Sequence, residues 1–348
     1  MIFNNWTDSE KEKIEILELT KKTFGNTDIS NSSYFDWQYR NNPNGKPIII
    51  LARDDLNDNV IVGSNTIIPI KLLVEQEEIL SSLACNVQVN PNNQNQGIFS
   101  ELLSLMTLEA KNQEIMSLFA IPNDNSFNSF IKEGSIEIFQ LPLLLRPLKF
   151  SNYFNSPFKK ILKIFEFFYK IKVSTNNVEE FNGDFQIFEK LFDKLSKRVS
   201  VLQKRNSEYL KWRYLEHPTR KYQIYVLKNN DDLIGYIIIK LHTINNKKIG
   251  VILDYVVDSN ASEKLLKTLI QKALDYFWVH DASVAISTCG STLLETKLLN
   301  DEGFFNIPSF LKPESLHFIV RLFNSDEKLK KLKKYDNWFF TFGDYDVF

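Results

Sequence analysis

Cysteine is scarce: the 348 residues contain two, Cys85 and Cys289, far apart and in no C-x-x-C. That excludes a disulfide framework and fits a reducing compartment. Neither sign of charge is in excess. With 42 basic and 43 acidic residues the net charge is −1, which argues against electrostatic binding of nucleic acid. No apolar run approaches the roughly 18 residues that span a bilayer. The N-terminus is rich in Asp, Glu and Lys by residue 8 and lacks the apolar core of a secretory signal. His242, His280 and His317 have no metal-ligand spacing, and neither cysteine has a histidine near it in sequence. The expectation is a cytoplasmic protein with no metal and no nucleic-acid or membrane partner.

Core-forming residues are plentiful. Hydrophobic residues make up 43% of the chain and aromatics 13%, 28 of them Phe, enough for sizeable cores, and the length suggests roughly two domains.

The most informative stretch runs from Cys85 to Leu103. Up to Val89 it alternates as a strand with one buried face, and Asn90-Pro91 stops it. Ile98, Phe99, Leu102, Leu103 and Met106 then recur at helical spacing. Between them, Gln94-Asn95-Gln96-Gly97 is uncharged and opens directly into a helix N-terminus. Free backbone N–H groups and the positive dipole end meet there, and Gly97 has no Cβ to obstruct a ligand. Physically this is an anion cradle suited to a diphosphate. The plainer reading is a tight strand-to-helix turn.

The chain before it reads as a helix opened by a Thr7-x-x-Glu10 capping box, with Ile14, Leu17 and Phe24 inward. Strands follow at Ile48–Arg53, Val60–Ile70, Lys71–Val74 and Ser82–Val89, with a turn at Asp54–Asn59. After the loop helix come a buried strand at Ile115–Ile121 and a helix ending at Lys132-Glu133-Gly134. Leu141–Leu148 closes the first unit, and Phe158–Lys172 reads as an amphipathic linker helix.

The chain then repeats itself. Asn31-Ser32-x-Tyr34-x-x-Trp37-x-Tyr39-x-x-x-Pro43 recurs as Asn206-Ser207-x-Tyr209-x-x-Trp212-x-Tyr214-x-x-x-Pro218, an offset of 175 (209 − 34, 218 − 43). Gly63 matches Gly235, and Glu133-Gly134 matches Glu302-Gly303. This marks a duplication. The second copy has Asp258-Ser259-Asn260-Ala261-Ser262-Glu263 where the first has its loop. No glycine opens it, and Asp258 and Glu263 would repel a diphosphate.

Strand, Asn-Pro, then Q-x-x-G at a helix start resembles the acyl-CoA pyrophosphate loop of the GNAT acyltransferase superfamily, with Phe99 where a small residue is usual. The fold this implies is α/β (α+β): tandem GNAT folds, each a mixed, mostly antiparallel sheet flanked by helices. The units fall at 1–150 and 181–322, joined by a linker at 151–180 and followed by an aromatic-acidic tail at 323–348. One live loop, the repeat and that tail together resemble the two-domain sugar N-acyltransferases acting on nucleotide-linked (dTDP) amino sugars in bacterial surface-polysaccharide synthesis.

The resemblance implies coenzyme A as acyl donor and a nucleotide-linked amino sugar, such as dTDP-3-amino-3,6-dideoxygalactose, as acceptor in a cleft between the units. It places CoA against Val87, Val89, Gln94, Asn95, Gln96, Gly97, Ile98, Phe99, Asn123, Ser126 and Phe130. Phe130 stands where relatives carry a Tyr that protonates the leaving thiolate. For the base, His217 is the first candidate, because imidazole titrates near pH ~6.5; Asp344 and Asp346 are the alternatives. A His beside Pro is more often a cap or core residue. Arg40, Arg146, Arg205 and Arg213 are bidentate donors available for a diphosphate. Trp37, Tyr39, Tyr209 and Trp212 are candidate acceptor contacts, with core packing as the plainer reading. Two other functions fit the tandem fold: a tRNA-dependent aminoacyl transferase and a non-catalytic acyl-CoA-binding module. The oligomeric state stays open.

Overall fold

The computed structural model describes residues 1–149, 151, 163, 166, 177–230, 232–290, 292–308 and 315–345. The expected linker helix at 158–172 lies outside the described residues. In chain order the first half contains β1 (Ile2–Asn5), α1 (Glu10–Phe24), α2 (Ser32–Phe35, continued by a π turn over Asp36–Arg40), β2 (Ile48–Asp54), β3 (Val60–Val74), β4 (Glu77–Val89), α3 (Ile98–Asn112), β5 (Ser117–Ala120), α4 (Asp124–Lys132), β6 (Ile136–Gln140) and β7 (Leu144–Pro147). The second half contains β8 (Val178–Glu180), α5 (Glu189–Arg198), β9 (Val201–Gln203), α6 (Ser207–Leu210, with a π turn over Lys211–Leu215), β10 (Gln223–Asn229), β11 (Asp232–Ile244), β12 (Lys247–Val257), α7 (Glu263–Val279), β13 (Val284–Ser287), α8 (Leu294–Asp301), β14 (Phe305–Asn306), β15 (His317–Leu322) and β16 (Trp338–Phe339).

Two units form. The first comprises Met1–Gln140, Glu208–Arg220 and Glu314–Tyr335; the second comprises Leu141–Ser207, Lys221–Pro313 and Asp336–Phe348. In the first, a sheet path runs β1-β2-β3-β4-β5-β15-β6. Its pairings are antiparallel except for β4 with β5. In the second, the order is β14-β7-β13-β12-β11-β10-β8, with only β12 and β13 parallel.

The two orders are the same fold with one strand exchanged. β15, from the end of the chain, lies between β5 and β6; β7, from the end of the first copy, lies between β13 and β14. Leu141–Leu148 therefore does not close the first sheet as expected, and His317–Leu322 does not close the second. The repeated Tyr209–Pro218 motif likewise packs within the first unit.

Alternation along β3 separates two faces. Gly63 faces α3, where a Cβ would meet Ile98 Cγ2 and Leu102 Cδ1 at 3.1 Å. Its neighbour Ser64 faces away and, with Thr20 of α1, accepts hydrogen bonds from Gln88 Nε2 at 3.0 Å. Helices α1 and α3 thus cover opposite faces of the first sheet. The apolar core between sheet and α3 includes Ile50, Ala52, Val89, Leu102, Met106 and Phe130.

Local details differ from expectation at α1. Its N-cap is Ser9, whose side chain accepts from Glu12 N, while Thr7 N–H and hydroxyl both donate to Glu12 Oε2. The helix starts later than the Thr7 box implies, and its inner face differs from the expected one. Ile16, Leu17 and Leu19 are buried, and Ile14 and Phe24 are exposed. The two strands expected between 60 and 74 are one continuous β3.

Candidate active site

In the first unit β4 and β5 pair only over Ser81–Leu83 with Ser117–Phe119. Strand β4 continues to Val89, so beyond Leu83 its β5-side edge has no strand partner among the described residues. A bulge marks the divergence: Ser64 pairs with Gln88 and Thr66 with Cys85, leaving Asn86 and Val87 opposite Asn65. Open backbone edges inside a sheet are ready to hydrogen-bond an extended ligand.

This edge leads to the loop. Asn90 caps a turn over Pro91–Asn93, and Gln94 Nε2 folds back to the Val89 carbonyl at 3.4 Å. Asn95 and Gly97 both adopt left-handed backbone, with φ of +62° and +80°. Residues 94–97 are exposed, and a Cβ on Gly97 would meet nothing within 4 Å. Glycine is therefore needed here for its φ, at the N-cap of a fifteen-residue helix with free first-turn N–H groups. The first turn carries Glu101 and no cation, so attraction for an anion comes from the backbone alone. The side chains of Val87, Val89, Ile98 and Phe99 belong to or pack against the core, which leaves their backbone for a ligand.

Asn123 is the N-cap of α4, its Oδ1 accepting from Ser126 N at 3.1 Å and Ser126 Oγ at 3.0 Å. Its Nδ2 finds no acceptor among the described residues. Phe130 is buried and meets Phe99 edge-on at 6.2 Å, so it is a core residue and brings no proton to this edge.

One residue absent from the expected set stands at the bulge. Asn86 has φ of +51°. Its Nδ2 donates to Gln38 Oε1 at 3.0 Å and to Tyr39 Oη at 2.8 Å. Both partners are buried, while Asn86 itself is part-exposed. An Asn inside a strand is disfavoured, and that was the available sequence signal.

Several expected site residues have structural tasks instead. His217 is buried; its Nδ1 accepts from Thr219 N and Arg220 N, and its ring lies 4.1 Å from that of Trp37. Two N–H donors on Nδ1 place the ring proton on Nε2 and remove Nδ1 as a base. Trp37 and Trp212 stack at 4.5 Å with an 11° interplanar angle, and Tyr209 packs against Trp212. Arg40 is held by Asp8, Glu10 and Asp36 at 2.6–2.9 Å. Arg213 is buried with its guanidinium 5.4 Å from the Tyr214 ring. In the second unit Arg146 donates to the Glu302 carbonyl.

Arg205 and Asp344 are the clearest correction. Arg205, 2% exposed, donates to Asp254 Oδ2 at 3.0 Å, Asp344 Oδ2 at 2.7 Å and the Gln203 carbonyl at 3.0 Å. Tyr236 donates to Asp254 at 2.9 Å, and Thr341 N–H donates to Asp344 at 2.9 Å. Burial raises the Asp344 carboxyl to about 6, against the pull of Arg205 and with Asp254 adding repulsion. This is a sealed ionic cluster and no exposed base. It fastens the tail, in which β16 pairs with β9. Phe342 packs on Val251 and Leu253, and the Trp338 carbonyl lies 3.2 Å from where a Cβ on Gly290 would stand. The tail thus covers the strand pair β12–β13, counterpart of β4–β5. Asp346 lies outside the described residues.

The second loop is closed too. Asp258 is salt-bridged to Lys194 at 2.6 Å and bonded to Asn260 N, Glu263 pairs with Lys297, and no residue from 258 to 262 is left-handed. Burial pushes the Cys289 thiol up to about 12, which disfavours a thiolate nucleophile. Among the described residues no cluster of three or more His, Cys, Asp or Glu could hold a metal, and no helix is long and apolar enough to cross a membrane.

Residues 7–124 match the family model of the acetyltransferase (GNAT) domain. No curated protein matches the sequence. Among solved structures, a GCN5-related N-acetyltransferase from Anabaena variabilis is similar with a TM-score of 0.66 and 14% identity, covering 93% of this chain and 73% of that one. Saccharomyces cerevisiae N-myristoyltransferase with bound myristoyl-CoA gives 0.64 and 14%, covering 94% and 84%. A conserved protein from Enterococcus faecalis described as a probable N-acyltransferase gives 0.61 and 10%, covering 92% and 73%. At these identities the likeness is one of fold. The fold is mixed α/β, two mixed sheets flanked by helices, and it matches GNAT folds.

Proposed function

We propose that this chain is an acyl-CoA-dependent N-acyltransferase with one donor site, in the first unit. The observation that carries the reading is the continuity of two features: the edge of β4 beyond Leu83, with which no described strand pairs, and the anion-cradling N-terminus of α3 at Gly97. An extended chain ending in a diphosphate matches that layout. The backbone of Gln96–Phe99 would hold the diphosphate, and the β4 edge at Val87 and Val89 would hold the arm beside it, with Asn123 Nδ2 as a further donor. Acyl-CoA supplies the acyl group already activated as a thioester.

The chemistry asked of the protein is direct aminolysis. Backbone N–H groups on the open edge stabilise charge developing on the thioester oxygen. No acid is needed at Phe130, because a free thiol ionises near pH ~8.5 and leaves tolerably as thiolate. The second unit binds no donor in this account, since its loop is tied down and its strand pair is covered by the tail.

For the acceptor we propose the amine of a nucleotide-linked amino sugar, a dTDP-amino-dideoxyhexose in the cytoplasm. This rests on the resemblance of the tandem arrangement and repeat. Arg40 and Arg205, expected to hold its diphosphate, are engaged by carboxylates, so other groups must do so. The test is thiol release from acyl-CoAs, acetyl to myristoyl, with dTDP- and UDP-linked amino sugars, free amino sugars and peptides. Amine-dependent release with a nucleotide sugar supports the full reading. Release only with another amine retains the N-acyltransferase and removes the sugar.

A further inference from the structure

We infer that Asn86 is a catalytic residue of the first unit, its side-chain oxygen receiving an N–H of the acceptor amine as that nitrogen attacks the acyl carbon. The inference rests on the donor site proposed above and goes beyond it by assigning a side chain at the reacting centre.

Position is the first argument. Asn86 lies beyond Leu83, on the part of β4 that has separated from β5. Val89 to Asn86 is about 10 Å at strand rise. An arm anchored at the α3 N-terminus and running back along β4 brings its far, acyl-bearing end to this bulge. Geometry is the second. A bulge re-aims a side chain, and a left-handed backbone in a non-glycine residue persists only where its surroundings fix it. Asn is among the residues that tolerate it.

Hydrogen bonding is the third. The carboxamide nitrogen gives its N–H groups to Gln38 Oε1 and Tyr39 Oη. Oδ1, on the opposite side of the planar amide, receives no donor among the described residues. Asn86 is part-exposed, so this is a fixed acceptor offered to the outside. A neutral amine that donates one N–H to Oδ1 keeps its lone pair for the thioester carbon. The C–N bond forms and the C–S bond breaks with its electron pair on sulfur. The proton shed by nitrogen passes through water to the thiolate, giving amide and free thiol. The bond to Oδ1 strengthens as nitrogen becomes cationic, which is the condition for catalysis.

The experiment compares the full chain with Asn86→Ala and Asn86→Gly, glycine being the variant that keeps the left-handed backbone without strain. Acetyl-CoA binding is measured by calorimetry. Turnover is measured from acetyl-CoA to dTDP-3-amino-3,6-dideoxygalactose, or to the amine with the fastest parent turnover in the acceptor panel. Both variants should bind acetyl-CoA within two-fold of the parent and lose about 10- to 100-fold in kcat, the worth of a hydrogen bond to a charged group. Tyr39→Phe, which loosens the carboxamide, should lose less. Parent-like kcat in Asn86→Gly overturns the inference and leaves the donor site standing. A parent that binds no acetyl-CoA, or transfers it to no amine, overturns the underlying reading and this one with it.

Discussion

Trp37 and Trp212 donate their indole N–H groups to each other's backbone carbonyl oxygens, both at 2.9 Å, across a separation of 175 residues. That separation is the repeat offset, so the two copies of the motif meet about a local two-fold axis. The bonds are buried, and the stacked rings lie between Tyr34 and Tyr209.

The reciprocity makes a prediction about coupling. Trp37→Phe and Trp212→Phe should each destabilise the protein by about 2 kcal/mol, from a lost buried bond and reduced ring overlap. In urea unfolding the double variant should cost clearly less than the sum, because each single change already disrupts the shared stack. Strict additivity would contradict the symmetric pair.

The ionic cluster of the second unit predicts a pH dependence. The Asp344 carboxyl stands at about 6 in the fold, above its ordinary 3.8. A raised acid contributes stability that is fully present below its unfolded value and is lost as pH rises through its folded value. Melting temperature should therefore carry a component that falls between pH about 4 and 7, and Asp344→Asn should flatten it. Arg205→Met, which leaves Asp254 and Asp344 uncompensated, should cost about 3–5 kcal/mol. An unchanged pH profile in Asp344→Asn would contradict the assignment.

At the donor loop the reason for glycine is testable. Gly97 has φ of +80° and open space where a Cβ would go. Gly97→Val cannot hold this backbone without about 1–3 kcal/mol of strain, so it should lose at least 10-fold in CoA affinity while lowering the melting temperature by a few degrees only. Gly97→Asn, which tolerates left-handed backbone, should stay within a few-fold. Equal losses in both would mean that the space above Gly97 matters and its φ does not.

What the sequence made legible was local. The strand-turn-helix of 85–103 declares itself through turn residues and a change of period, and the repeat declares itself through spacing. The exchange of β7 and β15 is not legible, because L-L-R-P and H-F-I-V-R-L are short apolar strands that carry no mark of the sheet they join. The arginines misled for a related reason. Arg205 finds its carboxylates 49 and 139 residues away, and free and sealed guanidinium groups look alike in one dimension. His217 followed the commoner fate of a His beside Pro. An Asn inside a strand is the one mark Asn86 leaves in the sequence, and its role is not legible there because a bulge appears only when two strands are laid together.

The most direct test of the account is the number of CoA molecules bound per chain. Calorimetric titration of CoA into the chain of 348 residues should give one site, weakened at least 10-fold by Gly97→Val and unaffected by Asp258→Ala. Two sites per chain, or none, would contradict a single donor site in the first unit.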